Sequence, residues 1–242
     1  MKIDVHFTPA EIDSRDFAEA TVVIIDVVRA TTSIVEALAN GVREVFPTAS
    51  TEEAVRLASS LGREDTLLCG ERKGVKIEGF DLGNSPAEYI SESLDGKRLV
   101  MTTTNGTPAI RAADEAARLF VCAFTNLSAV ARRVAKDPHI VVQCAGREGG
   151  FSYDDAVCAG HLLLKIREFS KRKREPELND PARAALALAQ VIDVSTDFLR
   201  ATAAGVTVEA IGLGDDLILC ADVDRHDIVP EAQEGSITVT GG

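Results

Sequence analysis

Short runs of apolar, largely β-branched residues alternate along the chain with stretches whose apolar positions recur at helical spacing. The first kind predicts strands over residues 2–7, 21–26, 44–46, 66–69, 98–101, 119–122 and 140–144. The second predicts helices over 32–40, 52–61, 86–93, 108–117, 127–135, 153–169 and 181–203. Gly41 and Gly62 end the first two helices. Such an order belongs to the α/β class, with a largely parallel sheet covered on both faces. Residues 165–174 are dense in cations, and 175–181 are rich in helix breakers, so this stretch reads as an exposed connection. The chain is therefore read as one α/β unit over 1–242, with two lobes joined near 175–181 as the alternative. The tail 234–242 reads as loosely ordered, and no internal repeat is visible.

Composition narrows the class of function. Hydrophobic residues form 45% of the 242 and charged ones 26%, which excludes disordered, collagenous and disulfide-scaffold chains. The net charge of −12 argues against nucleic acid or an anionic membrane as partner, because both demand a positive long-range field. An anionic small molecule then needs a local cluster of Arg, Lys or metal. The first residues carry no apolar core of a leader, and no stretch is apolar enough to span a membrane, so a cytoplasmic location is expected. Five scattered cysteines without a C-x-x-C pair read as reduced thiols.

Ligands of parallel α/β sheets bind beyond the carboxyl ends of the strands, and four strand-to-helix turns here carry unusual chemistry. The first is Asp26-Val27-Val28-Arg29-Ala30-Thr31-Thr32, where a carboxylate suits Mg²⁺ or attack on phosphorus and a guanidinium suits phosphate. An Asp26–Arg29 ion pair with a threonine cap is the equally weighted alternative. The second, Thr102-Thr103-Thr104-Asn105-Gly106-Thr107-Pro108, feeds a helix with Thr107 as its expected N-cap and offers N–H groups to an anion. The third is the long loop from Cys69 to the capping box Ser85-Pro86-Ala87-Glu88, with Arg72, Lys73 and Lys76 able to close on anions. The fourth, Cys144-Ala145-Gly146-Arg147-Glu148-Gly149-Gly150-Phe151-Ser152-Tyr153-Asp154-Asp155, sets acids around an arginine, as a hard cation shared with a phosphoryl oxygen requires. Ser152 with Asp155 also matches a capping box. Cys144 lacks the C-x5-R loop of thiol phosphatases, and His6 and His161 read as packed or capping residues.

Taken together and in order, these four turns resemble the 2-phosphosulfolactate phosphatase family, Mg²⁺-dependent phosphatases of the coenzyme M pathway. The matching words include Gly70-Glu71-Arg72, Gly79-Phe80-Asp81-Leu82-Gly83-Asn84-Ser85-Pro86 and, further on, Asp216-Leu217-Ile218-Leu219-Cys220-Ala221. The resemblance implies a three-layer α/β/α fold with a parallel or mixed sheet. It implies a phosphomonoesterase acting on an anionic 2-phosphohydroxy acid, with Mg²⁺ as cofactor and a homodimer as the expected assembly. Asp26, Arg29 and Arg147 are then the expected catalytic residues. Thr31, Arg72, Thr104, Asn105, Gly106 and Thr107 are expected on the substrate, and Glu148, Asp154, Asp155 and Asp26 on the metal. A haloacid dehalogenase-type phosphatase would need Asp where this chain has Val28. A non-catalytic sensor of a phosphorylated or sulfonated metabolite is the other class, but a pure anion binder has no use for carboxylates beside its cations.

Overall fold

Five residues, Thr21–Ile25, form strand β2, and every one is buried, as a β-branched run between two helical layers must be. The computed structural model describes residues 1–9, 17–170 and 174–239. The other strands are β1 (Lys2–His6), β3 (Glu44–Pro47), β4 (Thr66–Arg72), β5 (Val75–Lys76), β6 (Arg98–Thr102), β7 (Arg118–Cys122), β8 (His139–Cys144), β9 (Glu177–Leu178), β10 (Pro230–Gln233) and β11 (Ser236–Val239). The helices are α1 (Ala30–Ala39), α2 (Thr51–Leu61), α3 (Gly106–Ala112), α4 (Leu127–Val134), α5 (Tyr153–Phe169), α6 (Asp180–Ala189), α7 (Thr196–Ala201), α8 (Ala203–Ala210) and α9 (Asp216–Cys220).

The strands pair in the order β5-β4-β6-β3-β11-β10-β7-β2-β8-β1-β9. The sheet is mixed. Within β4-β6-β3 and within β7-β2-β8-β1-β9 the neighbours are parallel, and the hairpin β10–β11 joins these blocks by antiparallel pairing on each side. Three antiparallel steps separate β3 from β7, so the two blocks run in opposite senses. In a flat sheet their carboxyl ends would lie on opposite edges. Instead the end of β2 and the start of α3, which follows β6, are in contact at Asp26 and Gly106, so the sheet coils strongly about the hairpin.

Alternation along β2 divides the core. Val23 and Ile25 face a cluster built with α4, α5, α6 and Leu199, Val208 and Leu217, while Val22 and Ile24 face one built with α1 and α3. Over β4 and β6, Leu68 and Val100 meet Ala54 and Ala58 of α2 on the face opposite Leu99 and Met101. Helices thus cover both faces, as a three-layer α/β/α fold requires. Gly160 allows α5 to touch α6, since a Cβ there would stand 2.0 Å from the Ala185 carbonyl oxygen.

Several expected elements change shape. The helix expected over 181–203 is broken into α6, α7 and the start of α8, because Ser195 Oγ accepts from Phe198 N and Thr202 Oγ1 from Gly205 N, each starting a new helix. Residues 86–93 form two short 3-10 turns, Pro86–Tyr89 and Glu92–Leu94. The tail expected to be loose supplies β11, with Ile237 fully buried; residues 240–242 lie outside the described ones, as do Lys171–Lys173 of the basic run. All five cysteines are buried and unbridged. His161 Nε2 lies 3.0 Å from the Ile192 carbonyl oxygen.

Candidate active site

A cavity of about 180 Å³ opens where the turns after β2, β4, β6 and β8 converge. Its wall includes Asp26, Arg29, Glu71, Lys73, Gly74, Asn84, Thr103, Thr104, Asn105, Arg147, Glu148 and Asp155, closed on one side by Ala204, Thr207 and Val208 of α8.

Asp26 is set in place by its own turn. Thr31 Oγ1 donates to the Asp26 carbonyl at 2.8 Å and accepts the Asp26 N–H at 3.0 Å, clamping the strand end to the first turn of α1. Thr31, expected on the substrate, is fully buried and is not among the residues that line the cavity. Gly106 is likewise enclosed: a Cβ there would stand 2.5 Å from Ala30 Cβ and 2.6 Å from Asp26 Oδ2. Its contribution is space for the carboxylate, and it does not border the cavity. Thr107 lies inside α3, with Oγ1 accepting from Thr103 N at 2.9 Å and its own N–H donating to Thr103 Oγ1 at 3.0 Å. Helix α3 begins one residue before Thr107, so Asn105 takes the N-cap position and the Thr107 hydroxyl is spent on Thr103.

Arg29, at the N-cap of α1, is 3% exposed. Its Nη1 donates to Asp216 Oδ2 and its Nη2 to the Gly74 carbonyl, each at 2.7 Å. Its ion-pair partner is thus Asp216, from α9, and not Asp26. Arg72 turns away from the cavity, donating to the Glu71 carbonyl and to Thr102 Oγ1 at 2.7 and 3.0 Å. The neighbouring Glu71 takes the cavity position instead. Its Oε1 accepts Thr104 N at 2.6 Å, and its Oε2 accepts Gly74 N at 2.6 Å and Thr104 Oγ1 at 3.1 Å, so it ties the third turn to the second.

Asp155 performs the same service between the first and fourth turns, with Oδ1 accepting Val27 N at 2.9 Å and Oδ2 accepting Gly146 N at 3.1 Å. It makes no capping box with Ser152, whose hydroxyl donates to Asp154 Oδ1 at 2.7 Å. Asp154 is 2% exposed and does not border the cavity. Arg147 does, and its Nη2 donates to Thr207 Oγ1 at 2.8 Å. Glu148 N donates to Asn105 Oδ1 at 3.1 Å, joining the second and fourth turns at the rim.

Charge is the site's dominant feature. Burial, the neighbouring Asp154 carboxylate and Glu71 push Asp26 up to about 7, against the pull of the Ala30 N–H and Arg29. Burial and the Asp154 and Asp26 charges drive Asp155 well above the usual carboxylate range, and burial raises Asp154 too. Crowded, desolvated carboxylates call for a cation. No group of three or more His, Cys, Asp or Glu arranged as metal ligands occurs among the described residues. Mg²⁺ needs none, because it binds through one or two carboxylates and completes its shell with water and phosphate oxygens. Asp26, Asp155 and Glu148 border the cavity and can supply the one or two carboxylates that chemistry needs; Asp154 does not border it.

Sequence reasoning about single turns missed Glu71, Asn84 and Asp216 as site residues, although each stands in one of the motif words that carry the resemblance. The comparisons with known proteins agree with that resemblance. A family model described as 2-phosphosulpholactate phosphatase matches residues 6–235. A probable 2-phosphosulfolactate phosphatase of Clostridium beijerinckii is 39% identical over 239 residues, covering 98% of this chain and 99% of the relative. Relatives of the same description from Caldanaerobacter subterraneus subsp. tengcongensis and Symbiobacterium thermophilum are each 38% identical, over 98% and 97% of this chain and 98% and 99% of their own.

Proposed function

The chain belongs to the 2-phosphosulfolactate phosphatase family, and on that premise we propose that it hydrolyses 2-phospho-3-sulfolactate to 3-sulfolactate and phosphate with Mg²⁺ as cofactor. One observation carries the reading: a single cavity faces the carboxylates of Asp26, Glu71 and Asp155 with the cations Arg29, Lys73 and Arg147. The substrate brings phosphate, sulfonate and carboxylate into a protein of net charge −12, so its charge must be met locally.

In the reaction, the bond between phosphorus and the alcohol oxygen breaks and a bond from phosphorus to a water oxygen forms. One water proton ends on the alcohol. Phosphoryl transfer is chiefly positioning and charge stabilisation, which this chain's residues supply. Arg147 and Lys73 draw in and orient the anionic groups. The Arg29 guanidinium, already fixed by Asp216 and Gly74, keeps its remaining N–H groups in a set direction and needs no reorganisation on binding. Thr104 and Asn105 complete the wall, braced by Glu71 and Glu148. Mg²⁺, held by one or two of the cavity carboxylates Asp26, Glu148 and Asp155, would neutralise phosphoryl oxygens and acidify water. The attacking group is water.

The test is phosphate release from a panel of 2-phosphohydroxy acids with and without Mg²⁺. Release that is fastest with the sulfonated substrate and abolished by chelation is the expected outcome. Saturable binding with no turnover under any metal would replace the enzyme with a sensor.

A further inference from the structure

Arg147 is anchored twice. Its backbone is pinned in a tight turn, where Arg147 N donates to the Gly150 carbonyl at 3.0 Å and Gly150 N donates back at 2.8 Å. Its long side chain, rich in rotamers when free, has one hydrogen-bond partner among the described residues, Thr207 Oγ1 at 2.8 Å. Thr207 belongs to α8, which is itself held fast. Thr202 Oγ1 accepts Gly205 N at 3.0 Å, and Val208 is buried in the core. Gly205 lies so close to α7 that a Cβ there would stand 1.9 Å from the Leu199 carbonyl oxygen.

The Thr207 hydroxyl has one proton to give, and it goes to the Ala203 carbonyl at 3.0 Å. Only lone pairs remain. They suit the Arg147 N–H and repel a phosphate, sulfonate or carboxylate oxygen, so Thr207 is not placed to donate to the substrate. The contrast with Arg29 gives the bond its meaning. Asp216 fixes Arg29 but offsets its charge, whereas a neutral hydroxyl fixes Arg147 and leaves its charge whole. Without that anchor the guanidinium is drawn to the carboxylates of Asp26, Glu148 and Asp155, which border the same cavity. Resting on the reading of this cavity as a phosphatase site, we propose that Thr207 is a positioning residue. It holds the Arg147 guanidinium, at full charge, in the direction from which it meets the anionic groups of the substrate.

Steady-state phosphate release from 2-phospho-3-sulfolactate in Mg²⁺, measured round a double-mutant cycle of Thr207 and Arg147, tests this. Thr207→Val, which keeps the shape and removes the acceptor, should lower kcat/KM about tenfold. Thr207→Ser should recover most of that loss, since it keeps both hydrogen bonds. In an Arg147→Ala background, Thr207→Val should change kcat/KM less than about twofold, because no guanidinium is left to hold. A merely structural Thr207 would lower kcat/KM by the same factor in both backgrounds, and that result overturns the proposal. So does Thr207→Val with the kcat/KM of wild type, or Thr207→Ser no better than Thr207→Val. Thermal melts check folding, and Thr207→Ala takes the place of Thr207→Val in the cycle if the latter does not fold. Wild type that releases phosphate while the cycle is additive refutes the role of Thr207 alone; wild type that releases none removes the phosphatase reading and this proposal together.

Discussion

Arg29 Nη1 donates to Asp216 Oδ2 at 2.7 Å, and neither side chain is more than 4% exposed. A pair so deeply buried is worth little against an apolar substitute, but losing one partner strands a charge. Asp216→Ala is expected to lower the unfolding free energy by about 3–5 kcal/mol. Arg29→Met with Asp216→Leu should recover most of that loss while remaining inactive. Urea unfolding of the two variants beside wild type is the measurement, and a single Asp216→Ala within error of wild type would refute the pairing.

Gly106→Ala carries a different expectation. The added methyl collides with Asp26 Oδ2 and Ala30 Cβ, at 2.6 and 2.5 Å. Overpacking of this kind costs roughly 1–3 kcal/mol. The larger consequence is a displaced carboxylate, so turnover should fall by at least about tenfold in a protein that still folds. Steady-state kinetics beside a thermal melt separate the two effects.

Asp26 gives the pH dependence. In the folded protein without divalent cation its carboxyl sits near 7, against 3.8 as the ordinary value, so the native state binds the extra proton between those limits. Stability should therefore decline as pH rises from about 4 to 7 and level off beyond. At about 1.4 kcal/mol per pH unit, the ionised carboxylate costs roughly 4 kcal/mol at the upper end. Asp155 and Asp154, raised in the same direction, add to the slope. Asp26→Asn should melt above wild type at pH 8 and close to it at pH 4, though inactive throughout. Saturating Mg²⁺ should flatten the wild-type curve; a slope of the opposite sign in chelator would contradict the carboxylate crowding.

Arg147 keeps its charge for the ligand, its side chain donating to the neutral hydroxyl of Thr207. Arg147→Ala should lower kcat/KM roughly 100-fold, since a positioned charge donor is lost from the cavity. The melting temperature should stay near that of wild type, because the residue is half-buried and its side chain donates to the neutral Thr207 hydroxyl. A comparable loss of stability would make Arg147 a structural residue.

Borohydride quenching of a single turnover distinguishes the attacking groups, because it reduces an acyl phosphate to an alcohol. Residue 26 should remain aspartate throughout. Homoserine at position 26, found by mass spectrometry of its peptide, would establish an aspartyl-phosphate route instead.

The sequence carries the central strands plainly, because residues such as Val22-Val23-Ile24-Ile25 are apolar on both faces. The hairpin was not legible: Pro230–Gln233 and Ser236–Val239 are short and polar, and Ile237 alone among the latter four is buried. Without it, the opposed senses of the two blocks could not be foreseen. Within the site, the turns themselves were readable, yet which side chain of each faced inward was not. Thr31, Thr107 and Arg72 spend their donors locally, while Glu71 turns inward beside Arg72. Spacing places a residue in a turn, but hydrogen bonds to other turns, such as Asp155 to Val27, decide its direction. The partner of Arg29 lies 187 positions away, beyond the reach of any local pattern.

The hairpin β10–β11 also fixes an order of events during synthesis. Strands β3 and β7 have no direct pairing; β11 meets β3 through Ile237 and Val45, and β10 meets β7 through Glu231, Ala232, Phe120 and Leu119. Both parallel blocks are complete in sequence by residue 178, well before the strands that unite them are made. A growing chain on the ribosome can therefore pack the two blocks against each other, but their sheet edges stay unjoined until residues 230–239 have emerged. A chain interrupted before that point has every residue of the cavity wall yet carries two unjoined strand edges, each open to pairing with another chain.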